Sequence, residues 1–179
     1  MPFIEPVDDE EFAAPDRAAL GYVPNYNRLF ARRPAVYDAW KQLNGAIRSA
    51  MDLRRYELAT VAAAEELRSS YCCLAHGKVL VDKFGLRPGD AMSDEERAVQ
   101  ELARKVAGDA LSVTEDDYER LRAFGLTDDE IFDVVLAAAA RSFFSKTLDA
   151  TGLQPDAAYR DLIEPDVREA LTVGRPIED

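Results

Sequence analysis

The chain has 179 residues, with 34 acidic side chains against 22 basic ones and a formal charge of −12. Hydrophobic residues make up 47% and charged residues 31%, the balance of a folded domain with one real core rather than of a disordered chain. An acidic excess of this size argues against a general binder of nucleic acid or anionic membranes, because both are themselves anionic.

Residues 1–24 carry Pro2, Pro6, Pro15 and Pro24 among many acids, and read as an N-terminal arm with at most a short helix near 15–20. From Asn25 to about residue 160 the pattern is helical, and a polar tail follows over 161–179. Pro34 suits a first helical position, with Val36, Trp40, Leu43 and Ile47 following at three- and four-residue spacing. Asp52-Leu53 interrupts that helix. The next, about 54–68, is rich in alanine and sets Leu58, Val61, Ala62 and Glu65 along one stripe. Ser69 or Ser70 can cap a helix over about 70–84 that stops near Gly85, and Arg87-Pro88-Gly89-Asp90 is a turn.

Ser93-Asp94-Glu95-Glu96 is a capping box before a helix carrying Val99, Leu102, Ala103 and Val106. Thr114 opens a helix with Tyr118, Leu121 and Phe124, stopped by Gly125. Thr127-Asp128-Asp129-Glu130 is a second capping box, opening a helix from Ile131 to about Ala150 that is apolar nearly all round. Such a helix is expected at the centre of the fold or at a subunit contact. One or two short helices are expected beyond Gln154-Pro155. No segment alternates as a half-buried strand does, so the expected fold is all-α. No apolar run approaches the roughly 20 residues of a membrane span, and the opening Met-Pro-Phe-Ile-Glu-Pro does not read as a signal peptide. With two adjacent cysteines and no disulfide framework, the chain is expected to be cytoplasmic with reduced thiols.

Chemistry concentrates in one stretch. Residues 72–76 hold both cysteines, Cys72 and Cys73, and the one histidine, His76. Cys72 and His76 are four apart, on one face of a helix. With Ser69 at the cap, Cys72 falls in the first turn, where the helix dipole favours an anionic sulfur. The thiolate is the reactive form of cysteine, and His76 one turn on can take the thiol proton. A carboxylate behind His76 would orient the imidazole. If the helices on either side of Ser69 form a hairpin, Glu57 lies about 16 Å back and His76 about 10 Å forward at 1.5 Å per residue, a mismatch that a long side chain and a crossing angle absorb. Glu65 and Glu66, nearer the turn, are also candidates. A buried structural cysteine, a hydrogen-bonded helper histidine and a solvated Glu57 are the plain readings of the same residues. Two adjacent cysteines and one histidine do not close a tetrahedral zinc site within one chain, so no metal and no cofactor are expected.

The Glu57…Ser69-x-x-Cys72…His76 spacing resembles the carboxymuconolactone decarboxylase/AhpD-like superfamily, in its peroxidase-related branch. Ser93-Asp94-Glu95-Glu96-Arg97, Gly125 to Ile131 and Gly152 to Asp156 also look like that branch, and the resemblance covers about residues 20–160. The alkylhydroperoxidase pattern is Glu, eleven residues, Cys-x-x-Cys, three residues, His. The resemblance implies Cys72 as the nucleophile toward hydroperoxide, His76 as base or relay and Glu57 as its orienting carboxylate. Ser69 stands where the resolving cysteine of the family falls, and is expected to cap the helix and hydrogen-bond the sulfur. Cys73 is no substitute, because adjacent Cα atoms lie about 3.8 Å apart and helical neighbours diverge by about 100°. The sulfenic acid would then need an external thiol or a cysteine of another subunit. Where relatives carry asparagines and an arginine, this chain reads Ser142, Ser145 and Lys146. A homo-oligomer, trimer or hexamer, is implied, with the Trp40 helix and the 131–150 helix suited to contacts. A non-redox lyase acting through His76 on a small lactone acid, or a degenerate interaction module with an unreactive Cys72, are the other activities such a chain can have.

Overall fold

The computed structural model describes residues 2–179, and every regular element among them is helical. The helices are α1 (Glu10–Leu20), α2 (Asn25–Phe30), α3 (Pro34–Ala50), α4 (Leu53–Glu66), α5 (Ser70–Phe84) and α6 (Asp94–Gly108). A 3₁₀ turn (Ala110–Ser112) leads to α7 (Glu115–Ala123), α8 (Asp128–Ala150), α9 (Tyr159–Leu162) and α10 (Pro165–Leu171). Among the described residues no helix is long and apolar enough to cross a membrane.

The capping signals set the helix starts. Ser93 and Glu96 exchange side-chain and backbone hydrogen bonds at the start of α6, as Thr127 and Glu130 do at α8. Pro34 is in the first turn of α3. The N-terminal segment is more ordered than its prolines suggest. Asp9 accepts from Phe12 N at 3.0 Å, and α1 runs through Pro15 rather than starting there. Asp16 on α1 accepts from Asn27 Nδ2 and Tyr37 Oη, each at 2.8 Å, which ties α1 to α2 and α3.

The central helix is α4. It packs on α5, α6 and α8, and every residue from Tyr56 to Ala64 is buried. Ala59, Ala62, Ala63 and Ala64 have no exposed surface, because their small side chains let three helices approach one axis. Of the stripe read from the sequence on this helix, Leu58, Val61 and Ala62 belong to an all-round buried surface, while Glu65 is half-exposed beyond its end. Helix α8 takes an outer place against α3, α4 and α6, and leaves Phe132 and Phe143 exposed.

A hairpin of α4 and α5 carries the chemistry-bearing stretch. Arg68 closes its turn at φ 55°, the left-handed conformation that terminates many helices. Ser69 N–H donates to Ala64 O and Arg68 N–H to Glu65 O, both at 2.9 Å, the two bonds of a Schellman motif. The C-terminal tail straps this turn. Gly174 N–H donates to Ser70 Oγ at 2.7 Å. A Cβ on Gly174 would sit 1.9 Å from Arg68 O, so the strap passes where only glycine fits. Asp156 fastens the other side of the α5 start, accepting from Tyr71 Oη at 2.5 Å and Asn25 N at 2.7 Å. Burial pushes its carboxyl pKa upward, against the pull of those donors.

Candidate active site

Cys72 is the third residue of α5, inside the first turn, and is buried with 2% of its surface exposed. The residue borders a cavity of about 300 Å³ between α3, α5 and α8. His76 borders the same cavity and keeps 18% of its side chain exposed. Behind it, Glu57 is 2% exposed and holds His76 Nδ1 at 2.6 Å from Oε2. With the carboxylate ionised, Nδ1–H donates to it and Nε2 keeps the lone pair, the tautomer a general base needs. Burial lowers the His76 pKa, and Arg141 lowers it further, against the opposing pull of Glu57. The imidazole is therefore neutral at pH 7.

Glu65 and Glu66 stand elsewhere. Glu65 accepts from Arg104 at 2.8 Å, and Glu66 is exposed.

Two expectations need correction. Cys72 and His76 make no hydrogen bond to each other among the described residues, although both line the cavity. Each side chain is drawn to its own partner, the imidazole to Glu57 and the sulfur to Arg141, so proximity on one helix face does not become a hydrogen bond. Ser69 does occupy the cap of α5, but its hydroxyl is buried without a hydrogen-bond partner and bonds neither the sulfur nor the first turn. Burial pushes the Asp149 carboxyl upward.

The residue that sequence reasoning missed is Arg141. It is 4% exposed, and its Nη1 points at Cys72 Sγ from 3.7 Å. Its Nη2 lies 3.4 Å from Tyr56 Oη, which itself donates to Asn44 Oδ1 at 2.8 Å. Among the described residues no carboxylate pairs with this guanidinium, and its buried Nε has no partner. Burial works against its charge, but the neighbouring sulfur and the Tyr56 oxygen more than offset this, and its pKa is raised. A signal existed in the sequence. Val134, Ala137, Ala138, Arg141, Ser145 and Leu148 share the buried face of α8 at three- and four-residue spacing, so a cation in that register must meet something inside. Ser142, by contrast, bonds back to Ala138 O, Ser145 is buried without a partner, and Lys146 is exposed.

Cys73 has no exposed surface, and burial, aided by Glu65, pushes its thiol pKa far up. It is inert. Among the described residues no cluster of three or more His, Cys, Asp or Glu side chains could hold a metal. A larger cleft, about 690 Å³, lies among α4, α5, α6 and α10 and contains neither Cys72, His76 nor Arg141. Three of its cations are committed, Arg87 to Glu164 and Asp166, Arg104 to Glu65, and Lys105 to Asp117.

The helical arrangement around this site has solved counterparts. An uncharacterized peroxidase-related protein from Ralstonia eutropha JMP134, described as an alkylhydroperoxidase AhpD core, superimposes with a TM-score of 0.79 at 20% identity, over 88% of this chain and 94% of that one. The fold is AhpD-like. An uncharacterized peroxidase-related protein from Silicibacter sp. TM1040 matches at TM-score 0.70 and 22% identity, over 88% of this chain and 91% of that one. The debrominase Bmp8 in complex with 2,3,4-tribromopyrrole matches at TM-score 0.70 and 16% identity, over 88% and 94%. No protein-family model and no curated protein matches the sequence. At these identities the AhpD-like likeness is one of architecture.

Proposed function

We propose that the chain is a thiol-dependent peroxidase that reduces small organic hydroperoxides at Cys72. The observation that carries this reading is the Arg141 guanidinium 3.7 Å from a sulfur in a helix first turn, in one cavity with a Glu57-backed imidazole. Cation and helix N-terminus both lie beside this sulfur.

In the proposed cycle the Cys72 thiol gives its proton to His76 Nε2, through a water or the bound peroxide because the two side chains are not hydrogen-bonded to each other. The thiolate attacks the terminal oxygen of ROOH. The S–O bond forms as the O–O bond breaks, and the O–O electron pair leaves with RO⁻. His76 returns the proton to give ROH. Cys72 is then a sulfenic acid, oxidised by two electrons. With serine at position 69 and Cys73 sealed in the core, an external thiol R′SH condenses with it, releasing water and forming a mixed disulfide. A second R′SH restores Cys72 as R′SSR′ departs. The sum is ROOH + 2 R′SH → ROH + H₂O + R′SSR′.

Dimedone trapping after a brief pulse of cumene hydroperoxide tests the first half, with labelling expected in the parent protein and absent from Cys72→Ser. Labelling unchanged by that substitution sinks the assignment. Multiple turnover with thioredoxin or a small thiol is the test of the second half.

One observation favours a second reading. The His76–Glu57 pair is complete without the sulfur, which suits a non-redox lyase with His76 as acid and base. That activity survives Cys72→Ser and is lost with His76→Ala, whereas the peroxidase is lost with Cys72→Ser and slowed by His76→Ala. A native Cys72 that resists alkylation argues for neither activity. We further propose that copies assemble through α3 and α8, where Val36, Leu43, Phe132 and Phe143 are exposed. Sedimentation of Leu43→Glu against the parent reads this directly, and an unchanged mass refutes it.

A further inference from the structure

The cavity beside Cys72 differs in charge from the rest of the molecule. The chain as a whole carries −12, yet Lys41, Arg48 and Arg141 line this cavity and no carboxylate does. Glu57 is screened behind His76. Lys41 is shared with Asp38 at 2.9 Å, whereas Arg48 forms no ion pair among the described residues. Lys41, Asn44 and Arg48 lie at three- and four-residue steps along α3, so they form one stripe on the cavity wall.

Arg141 makes the demand sharper. A buried guanidinium has five donors, and here one nitrogen is 3.7 Å from sulfur, one 3.4 Å from a phenol oxygen and the third has no partner. A cation desolvated to this degree without a carboxylate is costly to the fold, and its unused donors are positioned for an anion that arrives later. The walls are flat and aromatic. Tyr26, Trp40, Tyr71 and Phe144 border the space, and Arg141 itself lies over Trp40 at 5.6 Å and Phe144 at 5.7 Å. A volume of about 300 Å³ is at the small end for ligand sites, enough for one ring with short substituents and too small for a lipid chain.

We infer that this site selects small planar organic anions, an aromatic or conjugated ring bearing one carboxylate, with the peroxide on a short arm directed at Cys72. Arg48 and Lys41 draw the carboxylate in at the mouth, the aromatic walls hold the ring, and the unused Arg141 donors meet the oxygens that approach the sulfur. The inference rests on the peroxidase reading for the word peroxide, and not for the preference of charge and shape.

Binding alone tests it. Trp40 is the one tryptophan of the chain and borders the cavity, so its fluorescence reports occupancy. Titration of the Cys72→Ser protein with benzoate and with benzamide contains no peroxide and no reactive thiol, so its outcome is independent of the proposed turnover. Benzoate is expected to bind about tenfold tighter than its neutral isostere, with the preference shrinking as salt is raised. The double variant Lys41→Met, Arg48→Met is expected to lose most of that preference, and because both side chains lie on the surface of α3 it stays folded. Arg141→Met removes the remainder. Equal affinity for the two ligands, a preference unmoved by the double variant, or no quenching by either ligand at millimolar concentration overturns the inference. A measured preference together with no dimedone adduct on the parent protein would leave the inference standing and remove the peroxidase reading.

Discussion

Replacing Arg141 by Met isolates the contact on which the proposed nucleophile depends. Methionine is unbranched and flexible enough to fill the vacated space, and it removes only the charge and the donors. At the observed 3.7 Å, a unit charge pair is worth about 4 kcal/mol at an effective dielectric of about 20 and about 1 kcal/mol at the dielectric of water. Loss of that attraction is expected to slow reaction of the Cys72 sulfur with iodoacetamide at pH 7 by about threefold or more, because a thiolate freed of the cation is also the stronger nucleophile and offsets part of the change. The assay is the second-order alkylation rate, with Cys72→Ser as the blank. Stability moves the other way. A buried guanidinium with no carboxylate partner is a liability to the fold, so the midpoint of thermal unfolding is expected to hold or rise in the variant. A folded Arg141→Met protein whose thiol reacts within about twofold of the parent rate refutes the role given to the guanidinium, on the range set by the same Coulomb relation.

Because burial and Arg141 lower the His76 pKa from 6.5, the acid limb of kcat/KM is expected below pH 6.5, and a limb at or above that value contradicts the neutral-base assignment. The same shift makes the unfolded chain bind more protons than the folded one, so the His76 contribution to stability weakens as pH falls through 6.5, and His76→Gln should flatten that part of the urea-unfolding profile. Asp149 and Asp156 are shifted upward by burial and slope the other way above 3.8, so the comparison is between parent and variant rather than within one curve. Gly45 lies inside α3 on the cavity wall, and an added Cβ there meets nothing within 4 Å. Gly45→Ala should therefore gain about 0.5–1 kcal/mol in chemical denaturation and raise KM for bulky hydroperoxides; a destabilised variant contradicts the open space. Gly174→Ala drives a methyl into Arg68 O and should lose about 1–3 kcal/mol while slowing Cys72 alkylation. Destabilisation with an unchanged alkylation rate would detach the strap from the site.

The helices were legible because their start signals are local. Ser93 with Glu96 and Thr127 with Glu130 state their caps within four residues, and the structure uses both. The early start of α1 was missed because Pro15 was weighed as a breaker, although Asp9 followed by Glu10 and Glu11 is a cap with an acidic first turn. Which helix is central was not legible from composition. The alanines of α4 and those of α8 look alike in sequence, and only the unbroken burial from Tyr56 to Ala64 sets α4 apart. In the site, spacing nominated Glu57 because a hairpin is a local geometry with few solutions. Arg141 comes from a helix 69 residues away in the chain, and no spacing rule reaches that far. Ser69 stands at the cap position but its hydroxyl bonds nothing there, which the residue type does not reveal.

The strap at Gly174 also sets an order of events in folding. The α4–α5 hairpin is a local structure that closes quickly, whereas the Gly174–Ser70 bond joins points 104 residues apart and forms late by loop-closure entropy. Hairpin formation and completion of the turn beneath Cys72 are thus separate steps in time. A refolding chain would pass through a stage with its helices formed and its sulfur still ordinary. Pulsed alkylation during refolding should find Cys72 acquiring its native reactivity in the last kinetic phase, after helical circular dichroism is complete.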